Sequence, residues 1–216
     1  MADLVIACLS QKGGVGKSTL ARLIARTYAA AGWAVKIADF NTRQLSSADW
    51  CALRMSSGIE PHIGIEIMRS TKGLKRDPSD LIVIDGAPDS DNTSLEAARA
   101  ATMIVLPTGA TVDDLKPQIG FANELVSKGV PRSKVIFVFN RIIEGESALK
   151  DATQLLKVAG FEVAETAIFS KKGYAVAQNQ GFAISESAYP TLSERAEMLA
   201  TELVTKVNNE TGMAAA

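Results

Sequence analysis

Lys12-Gly13-Gly14-Val15-Gly16-Lys17-Ser18-Thr19 sits between an apolar run, Leu4 to Leu9, and a long amphipathic stretch, Leu20 to Ala31. The arrangement reads as strand, glycine loop, helix, which is the context a phosphate-binding loop requires. Small residues let backbone N–H groups crowd around an anion, and the helix N-terminus adds partial positive charge at the same point. Lys17 is placed to reach the outer phosphates, and the Ser18 hydroxyl to ligate Mg²⁺. The whole loop, Gly13, Gly14, Val15, Gly16, Lys17, Ser18 and Thr19, is therefore the candidate binding site for a nucleoside triphosphate.

Outward from this loop, short apolar runs alternate with helical patterns. Strands are predicted at Leu4–Leu9, Ala34–Asp39, Leu81–Asp85, Met103–Pro107, Lys134–Asn140 and Glu162–Ile168. Helices are predicted near Lys17–Ala31, Gln44–Ser57, Asn92–Ala101, Asp114–Lys128, Ser147–Ala159 and Thr191–Val207, with Gly32, Gly58, Gly129 and Gly160 where helices should stop. The central runs are almost continuously apolar, as in strands covered on both faces. The fold class that follows is α/β, a mostly parallel twisted sheet flanked by helices on both faces, with ligand at the carboxyl ends of the strands. Residues 1–207 form one domain, and 208–216 form a polar, then small, frayed tail.

The chain has 216 residues, 47% of them hydrophobic and 22% charged, enough for one buried core. A formal net charge of −1 implies no bulk attraction to nucleic acid or membrane, although local basic patches remain open. Two cysteines, Cys8 and Cys51, make neither a metal motif nor a disulfide framework, which fits a reducing cytoplasm. No apolar run reaches the length of a membrane span, and no basic leader precedes Leu4. The single histidine, His62, makes catalysis by histidine improbable.

The run Leu81–Asp85 ends in Asp85-Gly86-Ala87-Pro88. Four apolar residues followed by an acid read as a Walker B strand whose carboxylate holds Mg²⁺, through water. The alternative is a strand-end Asp capping a turn. In the Mg²⁺ reading, Gly86 to Asp91 senses the terminal phosphate, as a switch loop does. Arg69, Lys72, Lys75 and Arg76 occur without an intervening acid, and Lys171 and Lys172 are adjacent. Such charges are either a solvated face or contacts to a nucleic-acid backbone.

The phosphate loop departs from the common Gly-x-x-x-x-Gly-Lys-Ser/Thr pattern: Gln11 holds the first position and a second lysine, Lys12, opens the loop. With Gln11 included, it resembles the deviant Walker A loop of the ParA/MinD family of ATPases, and the resemblance extends from Val5 to about Leu203. It implies ATP and Mg²⁺ as cofactors, and a homodimer in the ATP state. There Lys12 crosses the interface to the partner's nucleotide through charge-assisted hydrogen bonds. It also implies that Asp39 matches the first acid of the family's Asp-x-Asp-Pro-Gln segment, while the second acid, which positions or activates water, falls on Asn41. Asn cannot accept a proton as a general base, a contribution of about 10²–10⁴ in rate. Phosphoryl transfer rests mostly on positioning and charge, so hydrolysis is expected to be slow rather than absent. Asn41 could equally cap the following helix, or do both.

Further along, the resemblance implies that Asn140 recognises adenine through its amide, against a turn-forming role. Ile168-Phe169-Ser170 stands where the family usually reads Ile-Pro-Arg, so Phe169 either stacks on the base or belongs to the core. The family expectation is a small ParA-like ATPase for plasmid or chromosome partition, or for cargo positioning. It would be cytoplasmic and nucleoid-associated, with a ParB-like or other adaptor as partner and non-specific DNA as a ligand of the dimer. No room precedes Leu4 for a helix-turn-helix extension. The tail is unlike the membrane-binding helix of MinD-type proteins, so no membrane partner is expected. Two other readings stand beside it: a nucleotide-dependent scaffold in which Asn41 has abolished hydrolysis, and a small-molecule ligase on the same scaffold.

Overall fold

Leu4–Leu9 is apolar because it lies at the centre of the sheet. A computed structural model describes residues 4–88, 91–143 and 145–212, and the side chains of Lys75, Asp91 and Glu146 lie outside the described residues. The first strand, β1 (Leu4–Cys8), is buried except at half-buried Val5, and is followed along the chain by α1 (Lys17–Ala30), β2 (Val35–Asp39), α2 (Ser46–Ser56), β3 (Gly64–Ile67), β4 (Leu81–Asp85), α3 (Asp91–Ala100), β5 (Met103–Thr108), α4 (Val112–Ser127), β6 (Val135–Ile142) and α5 (Glu146–Val158). The chain continues through β7 (Glu162–Val163), β8 (Ile168–Phe169), α6 (Lys172–Asn179) and α7 (Pro190–Thr211). The strand order is β3-β2-β4-β1-β5-β6-β7, with β8 paired to β6 beyond the end of β7. Among the described residues every strand pair is parallel, and the crossovers carry α-helices to the two faces except from β3 to β4, which passes through a 3-10 turn (Thr71–Arg76), and from β7 to β8, a short link at the sheet edge.

Because successive strand residues face opposite ways, the sheet builds two apolar layers. On one face Leu20, Leu23 and Ile24 of α1, Trp50 of α2, and Leu199 and Leu203 of α7 pack on Ile6, Val83 and Val105. On the other, Ala97 of α3, Leu115 and Phe121 of α4, and Leu156 of α5 pack on Ala7, Ile82, Ile84 and Ile104. At roughly 25 cal/mol per Å² of apolar surface, these two layers supply most of the drive to fold. Gly32, Gly58, Gly129 and Gly160 do follow helix ends, each with positive φ.

Four local readings differ from the sequence expectation. β3 was not predicted: it has only four residues, lies at the sheet edge, and leaves Glu66 and Ile67 exposed, so it carries no buried apolar run. The predicted strand Glu162–Ile168 is two short strands, because the chain leaves the sheet edge after Val163 and re-pairs with β6 at Ile168. α6 was not predicted either, being eight residues long with Gly173 inside it. The last helix runs four residues past Val207, to Thr211, with Gly212 as its cap. Asp89 and Ser90 of the predicted phosphate-sensing loop, and Met213–Ala216 of the tail, lie outside the described residues. Among the described residues no helix is long and apolar enough to cross a membrane.

Candidate functional site

The glycine loop joins the carboxyl end of β1 to the first turn of α1, and neighbouring elements fix its shape. Ser10 donates its hydroxyl to Gln118 Oε1 of α4 at 3.0 Å and accepts the Lys12 N–H at 3.1 Å, while Gln118 Nε2 donates to Leu9 O at 3.3 Å. From the end of β6, Asn140 Nδ2 donates to Val15 O at 2.9 Å and Arg141 Nη1 donates to Gly14 O at 2.6 Å. A trans peptide points its N–H opposite its C=O. Anchoring those two carbonyls therefore turns the N–H groups of Val15 and Gly16 away from β6, as an anion-binding nest requires. Gly16 is obligatory here. Its φ is 98°, and a Cβ would sit 1.8 Å from Asn140 Nδ2. Arg141 itself takes φ 59°, a strained value for a residue with a side chain, and its bond to Gly14 O offsets that strain.

Lys17 is buried in the first turn of α1 and donates to Lys12 O at 3.1 Å, drawn across the loop it would serve. Lys12 lies on the rim, with 47% of its side chain exposed, and pairs with Asp114 at the start of α4. Burial alone would raise the Asp114 carboxyl, but hydrogen bonds from Lys12 and Thr111 outweigh it and hold its pKa below the usual carboxylate range.

The ends of β1, β4 and β2 bring Cys8, Asp85 and Asp39 side by side in register. Both carboxylates are buried. Asp39 is committed to backbone: Oδ1 accepts the Asn41 N–H at 2.9 Å, and Oδ2 accepts those of Ser47 and Ala48 at 3.1 Å each. It thereby fixes the turn that carries Asn41 and the N-terminus of α2. Asp85 Oδ2 accepts the Ser47 hydroxyl at 2.7 Å, and Ser18 bonds the same carboxylate. Its Oδ1 is buried and has no hydrogen-bond partner. Burial pushes the Asp85 pKa up to about 6, against the hydrogen bonds from Ser47 and Ser18, with the charge of Asp39 adding to the rise and that of Arg22 opposing it. An orphaned carboxylate oxygen tied to the loop serine fits a hard cation that takes its remaining ligands from water and phosphate. Among the described residues no group of three or more His, Cys, Asp or Glu side chains could hold a metal ion by itself. Asn41 donates to Gln44 Oε1 at 2.9 Å and accepts the Gln44 N–H at 3.2 Å, so its amide closes the turn before α2.

Two cavities flank the loop. One, of about 210 Å³, is lined by Lys17, Ser18, Asn41 and Pro88 among others. The other, of about 300 Å³, is lined by Asn140, Phe169, Tyr174 and Gln178 among others. Thr19, Arg22 and Arg141 line both. Within the larger, one of the two Asn140 Nδ2 N–H groups is used on Val15 O, and its Oδ1 is buried without a partner. That amide therefore keeps a free acceptor. One face of Phe169 carries the Arg195 guanidinium at 5.1 Å, so α7 supplies a cation near the position where the family pattern has its missing Arg. Arg69, Lys72 and Arg76 are exposed near the β3 edge. The Lys75 side chain lies outside the described residues. Lys171 and Lys172 open α6 at the opposite end of the sheet, and Lys171 lines the larger cavity.

Arg22, Ser47, Asp114 and Arg195 were not singled out in the sequence. Only Arg22 left a signal, its place one helical turn after Ser18. The other three reach the site through tertiary packing of α2, α4 and α7.

The fold and the glycine loop define a P-loop nucleotide-binding protein. The sequence profile of the CobQ/CobB/MinD/ParA nucleotide-binding domain family (CbiA) matches residues 6–181, and the chain belongs to that family. No curated protein matches it significantly. Among solved structures it is similar to the septum site-determining protein MinD of Pyrococcus horikoshii in complex with Mg-ADP (TM-score 0.73, 14% identity, 97% of this chain and 99% of that one). It is also similar to the ATP complex of Cyanothece McdA(D38A) (TM-score 0.72, 16% identity, 100% and 99%). A third is pNOB8 ParA bound to nonspecific DNA (TM-score 0.66, 19% identity, 95% and 99%). At these identities the likeness is one of fold.

Proposed function

We propose that the chain is a ParA-like ATPase working as a dimerisation switch in DNA partition or cargo positioning. In this reading ATP closes a homodimer, the dimer binds DNA without sequence preference, and an adaptor protein stimulates slow hydrolysis. The observation that carries it is Lys12, a second loop lysine that stands on the open rim beside the phosphate cavity. It can leave Asp114 at small cost, since exposed ion pairs contribute only about 0–1 kcal/mol. A partner's triphosphate offers it a stronger charge-assisted bond.

Lys17, Lys12 and the loop N–H groups of Gly13 to Thr19 bind and orient the triphosphate. Asp85 and Ser18 would hold Mg²⁺, which supplies charge neutralisation between the outer phosphates. Asp39 acts through the turn it fixes, keeping Asn41 beside the phosphate cavity. Asn41 orients water without accepting its proton, which keeps turnover slow. The unpartnered Oδ1 of Asn140 favours a base that offers a donor there, as the adenine amino group does and the guanine carbonyl does not. Phe169 borders the base.

Size-exclusion chromatography with light scattering tests the reading. The expected result is a monomer with ADP and a dimer with Mg²⁺ and a slowly hydrolysed ATP analogue, with Lys12→Ala staying monomeric yet still binding nucleotide. One mass under both conditions would reject it. A second reading, a scaffold with no hydrolysis, draws support from the Asn41 amide being engaged with Gln44. Phosphate release above the protein-free rate would exclude it.

A further inference from the structure

Arg22 stands between the two cavities and is absorbed by none of the roles above. It rises from α1 four residues after Ser18. Nη1 donates to Gln178 Oε1 at 3.2 Å, on α6 in the wall of the larger cavity. Nη2 donates to Ser46 O at 2.6 Å, at the first residue of α2. The guanidinium lies over the Trp50 ring at 5.5 Å, and Nε is buried with no hydrogen-bond partner. Ser46 precedes Ser47, whose hydroxyl is on Asp85. A chain of direct contacts therefore runs from the wall of the base-side cavity, through Arg22 and the start of α2, to the buried carboxylate. A guanidinium is poorly suited to simple filling at this point. It is desolvated enough that burial lowers its pKa, and one of its donors goes unused. Its planar fork does suit holding two elements at once in a fixed relation.

We infer that Arg22 is a positioning residue that couples occupancy of the base-side cavity to the setting of Asp85 toward Mg²⁺. This rests on the nucleotide reading and specifies how that site works. A base and sugar filling the larger cavity fix α6, Arg22 then fixes the N-terminus of α2, and Ser47 holds Asp85 with Oδ1 free for the ion. Such linkage is reciprocal, so Mg²⁺ must strengthen binding of the base-bearing ligand more than that of bare phosphates.

The experiment compares ATP with inorganic tripolyphosphate, which has the phosphates but neither base nor sugar. The Mg²⁺ concentration giving half the maximal thermal shift is measured for each ligand at saturation, in the full-length protein and in Arg22→Met and Gln178→Leu. The ratio of the two half-saturation values reports the coupling, and comparing that ratio between proteins cancels the different solution affinities of the ligands. Both variants are expected to bind ATP yet lower the ratio at least about fivefold, the low end of typical couplings. A merely structural Arg22 would weaken both ligands alike and leave the ratio within twofold of the wild type, which would overturn the inference while leaving the nucleotide reading intact. Should Arg22→Met not fold, Gln178→Leu decides, since it removes only the base-side contact. A wild-type protein without any ATP-induced shift would overturn the nucleotide reading and this inference together.

Discussion

Asp85 and Asn41 show how the site trades stability and rate for readiness. A carboxylate with one oxygen buried and unpartnered is unfavourable in the metal-free protein, and burial pushes its pKa up to about 6. The folded carboxyl keeps its proton up to about pH 6, whereas the unfolded one ionises near 3.8. Stability of the metal-free, nucleotide-free protein should therefore fall as pH rises through that window, by about 3 kcal/mol. Asp77 and Asp114 have lowered pKa values, so their contributions are lost only as pH falls below the ordinary carboxylate range, outside this window. Denaturant midpoints between pH 4 and pH 7 should show the decline in the wild type and its absence in Asp85→Asn; an equal slope in both would refute the assignment. Asn41 makes the complementary case. It already lies at the phosphate cavity, so Asn41→Asp places a proton acceptor there, at the loss of the amide's bond to Gln44 Oε1. Phosphate release with Mg²⁺ should rise by about 100-fold, the low end of what a general base contributes. An unchanged rate would mean that proton transfer to this position does not limit turnover.

At the level of elements, what could be read from the sequence followed from burial. β1 and the first four residues of β4 are continuously apolar because they lie inside the sheet, and the glycine loop sits at the β1–α1 junction, where Gly14 and Gly16 take left-handed backbone. β3 escaped because an exposed edge strand has no apolar pattern to see. α6 escaped because eight residues with an internal glycine give little periodicity, although it lines the larger cavity. The groups that shape Asp85 and Lys12, namely Ser47 and Asp114, were illegible because nothing local marks a serine or an aspartate that acts 38 or 102 residues away. The same holds for Arg54, whose side chain ties α2 to the segment after α6. It is buried and donates to Pro61 O, Gly181 O and Glu60 O and to both oxygens of Glu186. Arg54→Met strands those carbonyls and leaves Glu186 with only Arg26 and the Ala183 N–H. The cost should be about 3 kcal/mol, the low end for a broken buried pair because Arg26 remains. Since Ile184, in that same segment, borders the larger cavity, ATP affinity should fall along with the urea midpoint. A variant as stable as the wild type would show the knot to be dispensable.

On the scale of the whole molecule, a net charge of −1 gives one subunit little reason to bind DNA, and the strand order explains why its basic residues do not combine. The β3 end carries Arg69, Lys72 and Arg76, while Lys171 and Lys172 lie at the far end of the sheet beside β6, with Lys171 already lining the larger cavity. In the first group Arg69 lines a further cavity with Asn41 and Pro88, whereas Lys72 and Arg76 are exposed to solvent and line neither of the two cavities that flank the loop. In the face-to-face dimer proposed above, two copies of that group would stand on one particle, and DNA binding would then follow the nucleotide state. Each phosphate contact releases condensed counterions, which gives affinity a steep salt dependence, about 0.9 in the log–log slope for each contact. The double substitution Lys72→Glu, Arg76→Glu alters four such positions per dimer. With the slowly hydrolysed ATP analogue, anisotropy of a labelled random-sequence duplex should report at least a tenfold loss of affinity and a salt slope shallower by about 3 to 4. The ADP form should bind weakly with or without the substitutions. If the double variant keeps both the affinity and the slope of the wild type, this face does not meet the phosphate backbone, and its lysine and arginine are a solvated surface.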